Sequence, residues 1–365
     1  MSTLPLFDAF PALRGPIPHV ALAALPTPIE RLDALSSGTG ANLYVKRDDL
    51  TSPVYGGNKV RKLEFLLGRA MHDGARTVLT FGAAGSNHAL ATALFARQLG
   101  LRSVSMLVPQ PVAQSVRRNL LFGWKAGAEL HHFESQLRVK LGVLHQMQRG
   151  LFRDGRFPNV IPPGGSSPVG TLGFVNAAFE LAAQVASGLL PEPDLVFAAS
   201  GTMGTVVGLM LGLQAAGLRT RVAAIRVTQP PYTSMQKARE LFSATNALLH
   251  GADPAFPDLA FPEREFELRH DFIGPGYGRY TEASARAVRC GADLGLRLEG
   301  TYTGKAFAGF LDAAESGALR GKTAVFWDTY NSRDFAPEIA GADYHELPAP
   351  FHRYFEEAVQ PLDSH

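Results

Sequence analysis

A glycine pair followed closely by a lysine, Tyr55-Gly56-Gly57-Asn58-Lys59-Val60-Arg61-Lys62-Leu63-Glu64, is the stretch best equipped for chemistry. The glycines let the backbone turn tightly or approach a ligand, and Asn58 favours the same turn. Val60, Leu63, Leu67 and Ala70 recur at spacings of three and four, which predicts a helix starting here. Lys59, Arg61 and Lys62 then crowd the positive end of the helix dipole, where acids are the norm. Only Glu64 offsets them on the helix itself. An amine held there has its charged form disfavoured, so free base accumulates near neutral pH, as a Schiff-base lysine requires. The same stretch also reads as a solvated basic turn opposite Asp48 and Asp49.

Two further loops carry polar groups into helix starts. Ser200-Gly201-Thr202-Met203-Gly204-Thr205 combines backbone N–H groups, hydroxyls and a helix N-terminus, parts that suit an anion and a phosphate most naturally. Its glycines do not have the G-x-G-x-x-G spacing, no P-loop motif occurs, and a turn built only for packing fits as well. In Gly85-Ser86-Asn87-His88, Ser86 and Asn87 can bond a carboxylate or phenolate, and His88 can move a proton. An N-cap explains the same residues. Taken alone, Gly164-Gly165-Ser166-Ser167 is a turn. His131-His132 lacks metal-ligand spacing and reads as surface, so no metal site is assigned. The absence of G-x-S-x-G excludes the usual serine-hydrolase elbow.

These loops need a scaffold, and the patterning supplies one. Strand-like runs at 42–46, 77–81, 104–108, 159–161, 194–198, 221–228 and 322–327 alternate with helical periodicity, predicting an α/β fold on parallel sheets. The polar loops follow strands, the edge where ligands bind in such sheets. Residues 1–40, broken by Pro26-Thr27-Pro28, read as irregular. The length, 365 residues, suits about two domains. Without a low-complexity linker, the second domain is inserted rather than strung on. With 46% hydrophobic and 19% charged residues the chain is an ordinary globular one. A net charge of +2 without a basic run argues against nucleic acid. No run of eighteen apolar residues offers a membrane span. Cys290 is the only cysteine and Met1 to Phe10 lack a signal-peptide pattern, which points to a reducing, cytoplasmic location.

Read together, the motifs resemble the D-cysteine desulfhydrase and aminocyclopropane-carboxylate deaminase family. The resemblance rests on Lys46-Arg47-Asp48-Asp49, Gly56-Gly57-Asn58-Lys59-Val60-Arg61-Lys62-Leu63-Glu64 and Gly85-Ser86-Asn87-His88-Ala89. It continues through Pro163-Gly164-Gly165-Ser166-Ser167, Ser200-Gly201-Thr202, Gly276-Tyr277-Gly278 and Tyr302-Thr303-Gly304-Lys305-Ala306. It implies pyridoxal phosphate (PLP) as cofactor and the tryptophan-synthase-β-like fold (fold type II), two open parallel-sheet domains with PLP in the cleft. Residues 1–61 and 172–365 would form the large domain and 62–171 the inserted one. Lys59 would be the Schiff-base lysine, with Asn58 beside it, and Asn87 would bond the PLP phenolate. Ser200, Gly201, Thr202, Met203, Gly204 and Thr205 would cradle the phosphate, and Thr329 would stand near the ring nitrogen. Ser86, Asn87, His88, Gly165, Tyr277, Tyr302 and Thr303 would face a small amino-acid substrate. Catalysis would fall to Lys59, Ser86, Tyr277 and Tyr302, with Arg61 and Lys62 partners of nearby acids. The family's members are commonly homodimers.

The implied reaction is α,β-elimination: Lys59 removes the Cα proton, a β-substituent leaves, and hydrolysis gives pyruvate and ammonia. Deaminases of the family carry Glu after the tyrosine; Thr303 there, with His88, favours a desulfhydrase-like lyase. Deamination or racemisation on the same fold, a non-catalytic amino-acid or PLP-binding protein and a nucleotide-dependent enzyme are the alternatives. The segment Asp328-Thr329-Tyr330-Asn331-Ser332 replaces the family's glycine-rich His-Thr-Gly-Gly and is expected to reshape the cofactor's ring-side wall or the region over the substrate. Residues 229–265 match the family poorly and are free to form a lid.

Overall fold

Leu195 to Ser200 and Thr323 to Trp327 are buried at every position, the pattern of parallel strands covered on both faces. In the computed structural model, which describes residues 4–363, these runs lie side by side near the middle of the larger of two sheets. The strands are β1 (Ile29–Arg31), β2 (Asn42–Lys46), β3 (Thr77–Ala83), β4 (Arg102–Val108) and β5 (Glu129–His132). They continue with β6 (Asn159–Ile161), β7 (Leu195–Ser200), β8 (Arg221–Arg226), β9 (Phe266–Arg269) and β10 (Thr323–Trp327). One sheet runs β1-β2-β10-β7-β8-β9 and the other β5-β4-β3-β6. Every pairing is parallel except that of β1 with β2. The chain therefore builds its smaller sheet between β2 and β7, as two α/β units.

The longer helices are α1 (Asn58–His72), α2 (Asn87–Gln98), α3 (Gln114–Lys125), α4 (Gln136–Asp154) and α5 (Pro168–Ala186). After them come α6 (Gly204–Ala215), α7 (Met235–Ala252), α8 (Glu282–Asp293) and α9 (Thr303–Glu315). Capping explains several starts. Ser86 accepts from Ala89 N at 3.2 Å, and Ser167, ahead of Pro168, accepts from Gly170 N at 3.2 Å. Gly208 owes its place to packing, since a Cβ there would lie 2.6 Å from Phe174 Cβ on α5. Helix α5 is long and apolar enough to cross a bilayer, but two-thirds of that window is buried in the core.

Several short elements escaped the sequence. The proline-rich start includes β1 and a helix at Asp33–Thr39, and β9 closes the far edge of the large sheet. Helix α7 buries Leu241, Phe242 and Leu249 in the main core, so only Gln229, Pro230 and Tyr232 of the supposed lid segment reach the cavity described below. His131 and His132 are only partly at the surface. Both lie half-buried on β5, where His131 meets Glu129 at 2.8 Å and His132 meets the Tyr354 hydroxyl at 3.2 Å.

Candidate active site

A cavity of 510 Å³ opens where the C-terminal ends of β3, β7, β8 and β10 approach the start of α1. Asn58, Lys59, Ser86, Asn87, His88, Ser200 through Thr205, Tyr277, Tyr302, Thr303 and Thr329 all line it. Gly165 does not. It stands behind His88, and a Cβ there would lie 3.1 Å from His88 Cε1.

The three cations of the glycine-lysine stretch separate once α1 forms. Gly57, at φ 97, sets the turn, and any Cβ there would meet Thr329 O at 2.7 Å. Lys59 lines the cavity, and desolvation by the surrounding protein lowers its pKa to about 8. Its side chain is only partly covered because the amine faces that open space. Arg61 turns the other way, into a buried network. It donates to Asp48 at 2.7 and 2.8 Å, to Glu180 at 3.0 Å and to Thr27, while Lys46 reaches Glu180 at 2.6 Å. The acid-partner reading of Arg61 therefore holds, and the solvated-turn reading fails.

For Lys62 the expectation was wrong. Helical geometry carries it away from Asp48 and onto the face shared with Lys59. Fully buried, its amine donates to Gly164 O at 3.3 Å and Ser166 Oγ at 3.2 Å. Burial first, and then the Lys59 charge, push its pKa well below the ordinary lysine value. Lys62 Nζ lies 2.9 Å from where a Gly204 Cβ would stand, directly behind the loop that opens α6.

That loop has the features of an anion cradle. Met203 adopts a left-handed φ of 68, uncommon for a residue with a Cβ. The opening N–H groups of α6 have no carbonyl one turn back. Ser166 Oγ ties Thr202 Oγ1 at 2.7 Å and accepts from Gly204 N at 3.1 Å, while Thr233 Oγ1 holds Gly201 O at 2.7 Å. Asn58 Nδ2 reaches Thr205 Oγ1 at 3.0 Å, linking the cradle to the lysine turn. A buried lysine amine, a helix N-terminus and a glycine with no room for a side chain together fit a phosphate.

At the start of α2 the cap and ligand readings are both satisfied. Ser86 Oγ caps the helix as acceptor, which leaves its O–H to donate. Asn87 Oδ1 accepts from Tyr55 OH at 3.1 Å and Asn119 Nδ2 at 2.8 Å. Its NH₂ is thereby left to face the cavity as a donor. His88 is buried and, among the described residues, neither ring nitrogen has a partner. Burial, reinforced by Lys59 and Lys62, pushes its pKa far down, so it is a neutral imidazole.

On the opposite wall Tyr277 and Tyr302 touch hydroxyl to hydroxyl at 2.8 Å. Burial raises Tyr277 to about 12 and Tyr302 well above its usual value, so both keep their protons. Thr303 Oγ1 accepts from Glu299 N at 2.9 Å and donates back to Glu299 O, which engages its hydroxyl at the helix start. Glu299 also lines the cavity and is absent from the sequence reading, whereas Tyr330 lies in the replaced segment expected to reshape the wall. The replaced glycine-rich segment has a divided role. Tyr330 forms cavity wall, while Asn331 Oδ1 accepts from Gly56 N at 2.7 Å and braces the lysine turn.

The family model described as "Pyridoxal-phosphate dependent enzyme" matches residues 20–329. A Pyrococcus abyssi protein provisionally named 1-aminocyclopropane-1-carboxylate deaminase is 37% identical over 320 residues, 87% of this chain and 93% of that protein. The D-cysteine desulfhydrase of Salmonella choleraesuis is also 37% identical, over 300 residues, 81% of this chain and 88% of that protein. A crystal structure described as an ACC deaminase homologue aligns with a TM-score of 0.76 at 34% identity, covering 93% of this chain and 99% of that one.

Proposed function

This chain belongs to the pyridoxal-phosphate-dependent enzyme family, and from that premise we propose that it is a lyase acting by α,β-elimination on a small β-substituted amino acid. The products are pyruvate, ammonia and the protonated leaving group, sulfide if the substrate is cysteine. One observation carries the reading: an amine with a pKa of about 8 shares a cavity with an anion cradle backed by the buried Lys62 amine.

The residues fit PLP. Lys59 would hold its aldehyde carbon, the Ser200–Thr205 loop with Lys62 its phosphate, the Asn87 NH₂ its phenolate oxygen, and Thr329 its ring nitrogen. When bound, PLP withdraws electrons from the substrate's Cα. Lys59, as free base, takes the Cα proton. Ser86 O–H and the α2 N-terminus bind the substrate carboxylate, and neutral His88 adds a ring nitrogen without adding charge. The protonated Tyr277–Tyr302 pair donates to the departing β-substituent. No carboxylate extends from position 303, and the Glu299 oxygens are engaged by three backbone N–H groups. A hydroxyl such as that of Thr329 would not hold a proton on the ring nitrogen, which would suit elimination better than cyclopropane opening.

Deamination of aminocyclopropane carboxylate is the second reading, favoured by the equal identity to the relatives that bear that name. Purified holoenzyme offered D- and L-cysteine, other β-substituted amino acids and aminocyclopropane carboxylate distinguishes the two. Pyruvate with sulfide is expected; 2-oxobutyrate would favour the deaminase, and racemisation without keto acid would replace both. PLP binding without turnover of any substrate would show a binding protein.

Finer assignments accompany the reading. Residues 62–171 form the inserted domain, with α1 as the shared boundary: its Leu63 and Leu67 pack in one core cluster with Val78 and Leu90 of the smaller unit. The compartment is cytoplasmic, in keeping with a single free cysteine. The enzyme is a homodimer through the exposed face of α4, supported by the leucines at 137, 141, 144 and 151.

A further inference from the structure

Tyr277 and Tyr302 come from segments with no local reason to stay in register. Tyr302 precedes α9, whereas Tyr277 sits in the loop 273–278, where Gly274, Gly276 and Gly278 all have positive φ. A loop so rich in glycine has little stiffness of its own. The two hydroxyls nevertheless meet at 2.8 Å, with ring centroids 5.9 Å apart and the rings edge to face.

Two buried ionisable side chains, neither assigned a step above, account for this register. Glu299 Oε1 accepts from Tyr302 N at 2.6 Å and Thr303 N at 3.1 Å, and its Oε2 accepts from Thr301 N at 2.9 Å. The carboxylate thus caps α9 and fixes the backbone from which Tyr302 hangs. Lys305, three residues further along and completely buried, donates to Ile273 O at 2.7 Å and Gly276 O at 3.1 Å. Those carbonyls belong to the approach to Tyr277. Charge-assisted bonds of this kind are stronger than neutral ones and are costly to leave unmade when buried.

We propose that Glu299 and Lys305 are positioning residues that form a latch, with Glu299 setting Tyr302 at the start of α9 and Lys305 drawing the Tyr277 loop onto the same helix. The latch presents both hydroxyls to the substrate as one unit. Its catalytic consequence rests on the lyase reading above; the latch itself does not.

Hydrogen exchange and steady-state kinetics of the holoenzyme test this. In Lys305→Met the amides of 273–280 should exchange about tenfold faster, while the body of α9 is unchanged. Its kcat should fall about 10- to 100-fold with little change in KM, as misplacement of a catalytic group does. The double variant Lys305→Met/Tyr277→Phe should be no slower than Tyr277→Phe, because Lys305 acts through Tyr277. Unchanged exchange, or losses that multiply in the double variant, would overturn the latch. Glu299→Gln tests the other end should Lys305→Met fail to fold, with faster exchange expected at residues 301–303 and unchanged exchange overturning the proposal. If no variant or parent shows lyase activity, the exchange data alone decide.

Discussion

In the role proposed for it, Lys59 needs free base, and its surroundings supply it by lowering the pKa. An ordinary lysine near pKa 10.4 has about 0.04% free amine at pH 7, whereas one at about 8 has about 10%. Only the free amine attacks an aldehyde, so PLP uptake by the apoprotein should accelerate about tenfold per pH unit below 8 and level off above it. Stopped-flow absorbance of the protein-linked cofactor checks this; a rate still climbing towards pH 10 would show an ordinary lysine. Lys59→Ala should develop no such band. That Lys59, Asn87 and the Ser200–Thr205 loop share one cavity was legible because residue type, glycine spacing and motif order agreed. Lys62 was misread because three cations in four residues looked alike, although the 100° step per residue already places 59 and 62 on one face and 61 elsewhere. Glu299 left no signal, since the N–H groups that it collects are assembled only when α9 starts.

At the scale of elements, the active-site turn depends on a buried ionic junction between β2, α1 and α5. Lys46 and Asp48 flank the end of β2, Arg61 comes from α1, Glu180 from α5, and Thr27 from the proline-rich start. Strand-helix alternation revealed β2, α1 and α5 in the sequence, but not their junction, because Glu180 lies 119 residues from Arg61. Thr27, fully buried, looked like part of an irregular segment for the same reason. Breaking a buried pair strands its partner's charge, so Glu180→Ala should cost about 3–5 kcal/mol in equilibrium denaturation. Burial alone would raise the Glu180 pKa, yet Arg61 and Lys46 overcome it and hold the group at about 2. A carboxylate depressed in the folded state contributes stability above its unfolded pKa and loses it as pH falls. Glu180 should therefore help drive acid unfolding between about pH 4.5 and 2, and Glu180→Gln should flatten that limb. An acid limb of unchanged slope would remove Glu180 from the account.

At the scale of the whole molecule, the described residues leave an apolar row on α4 uncovered. Along α4, Leu137, Leu141 and Leu144 are 68%, 60% and 58% exposed, Phe152 is 88% exposed, and Leu151 continues the row. Spacings of four, three and seven make a seam that helices use against one another. Phe157 and Val160 are also exposed apolar residues, at 56% and 44%. The helix is basic, but Arg138 is matched by Glu134, Arg149 by Glu129 and Arg153 by Asp154, which lowers the repulsion between two copies. An anionic lipid surface is the competing occupant. Val139, on the inner side of the same helix, lines the catalytic cavity, so a partner packed on the leucine row would stiffen the cavity wall. Analytical ultracentrifugation should give twice the chain mass, and Leu141→Asp with Phe152→Asp should give monomers that retain PLP. A parent chain sedimenting as a monomer while binding anionic vesicles would replace the dimer by a membrane contact.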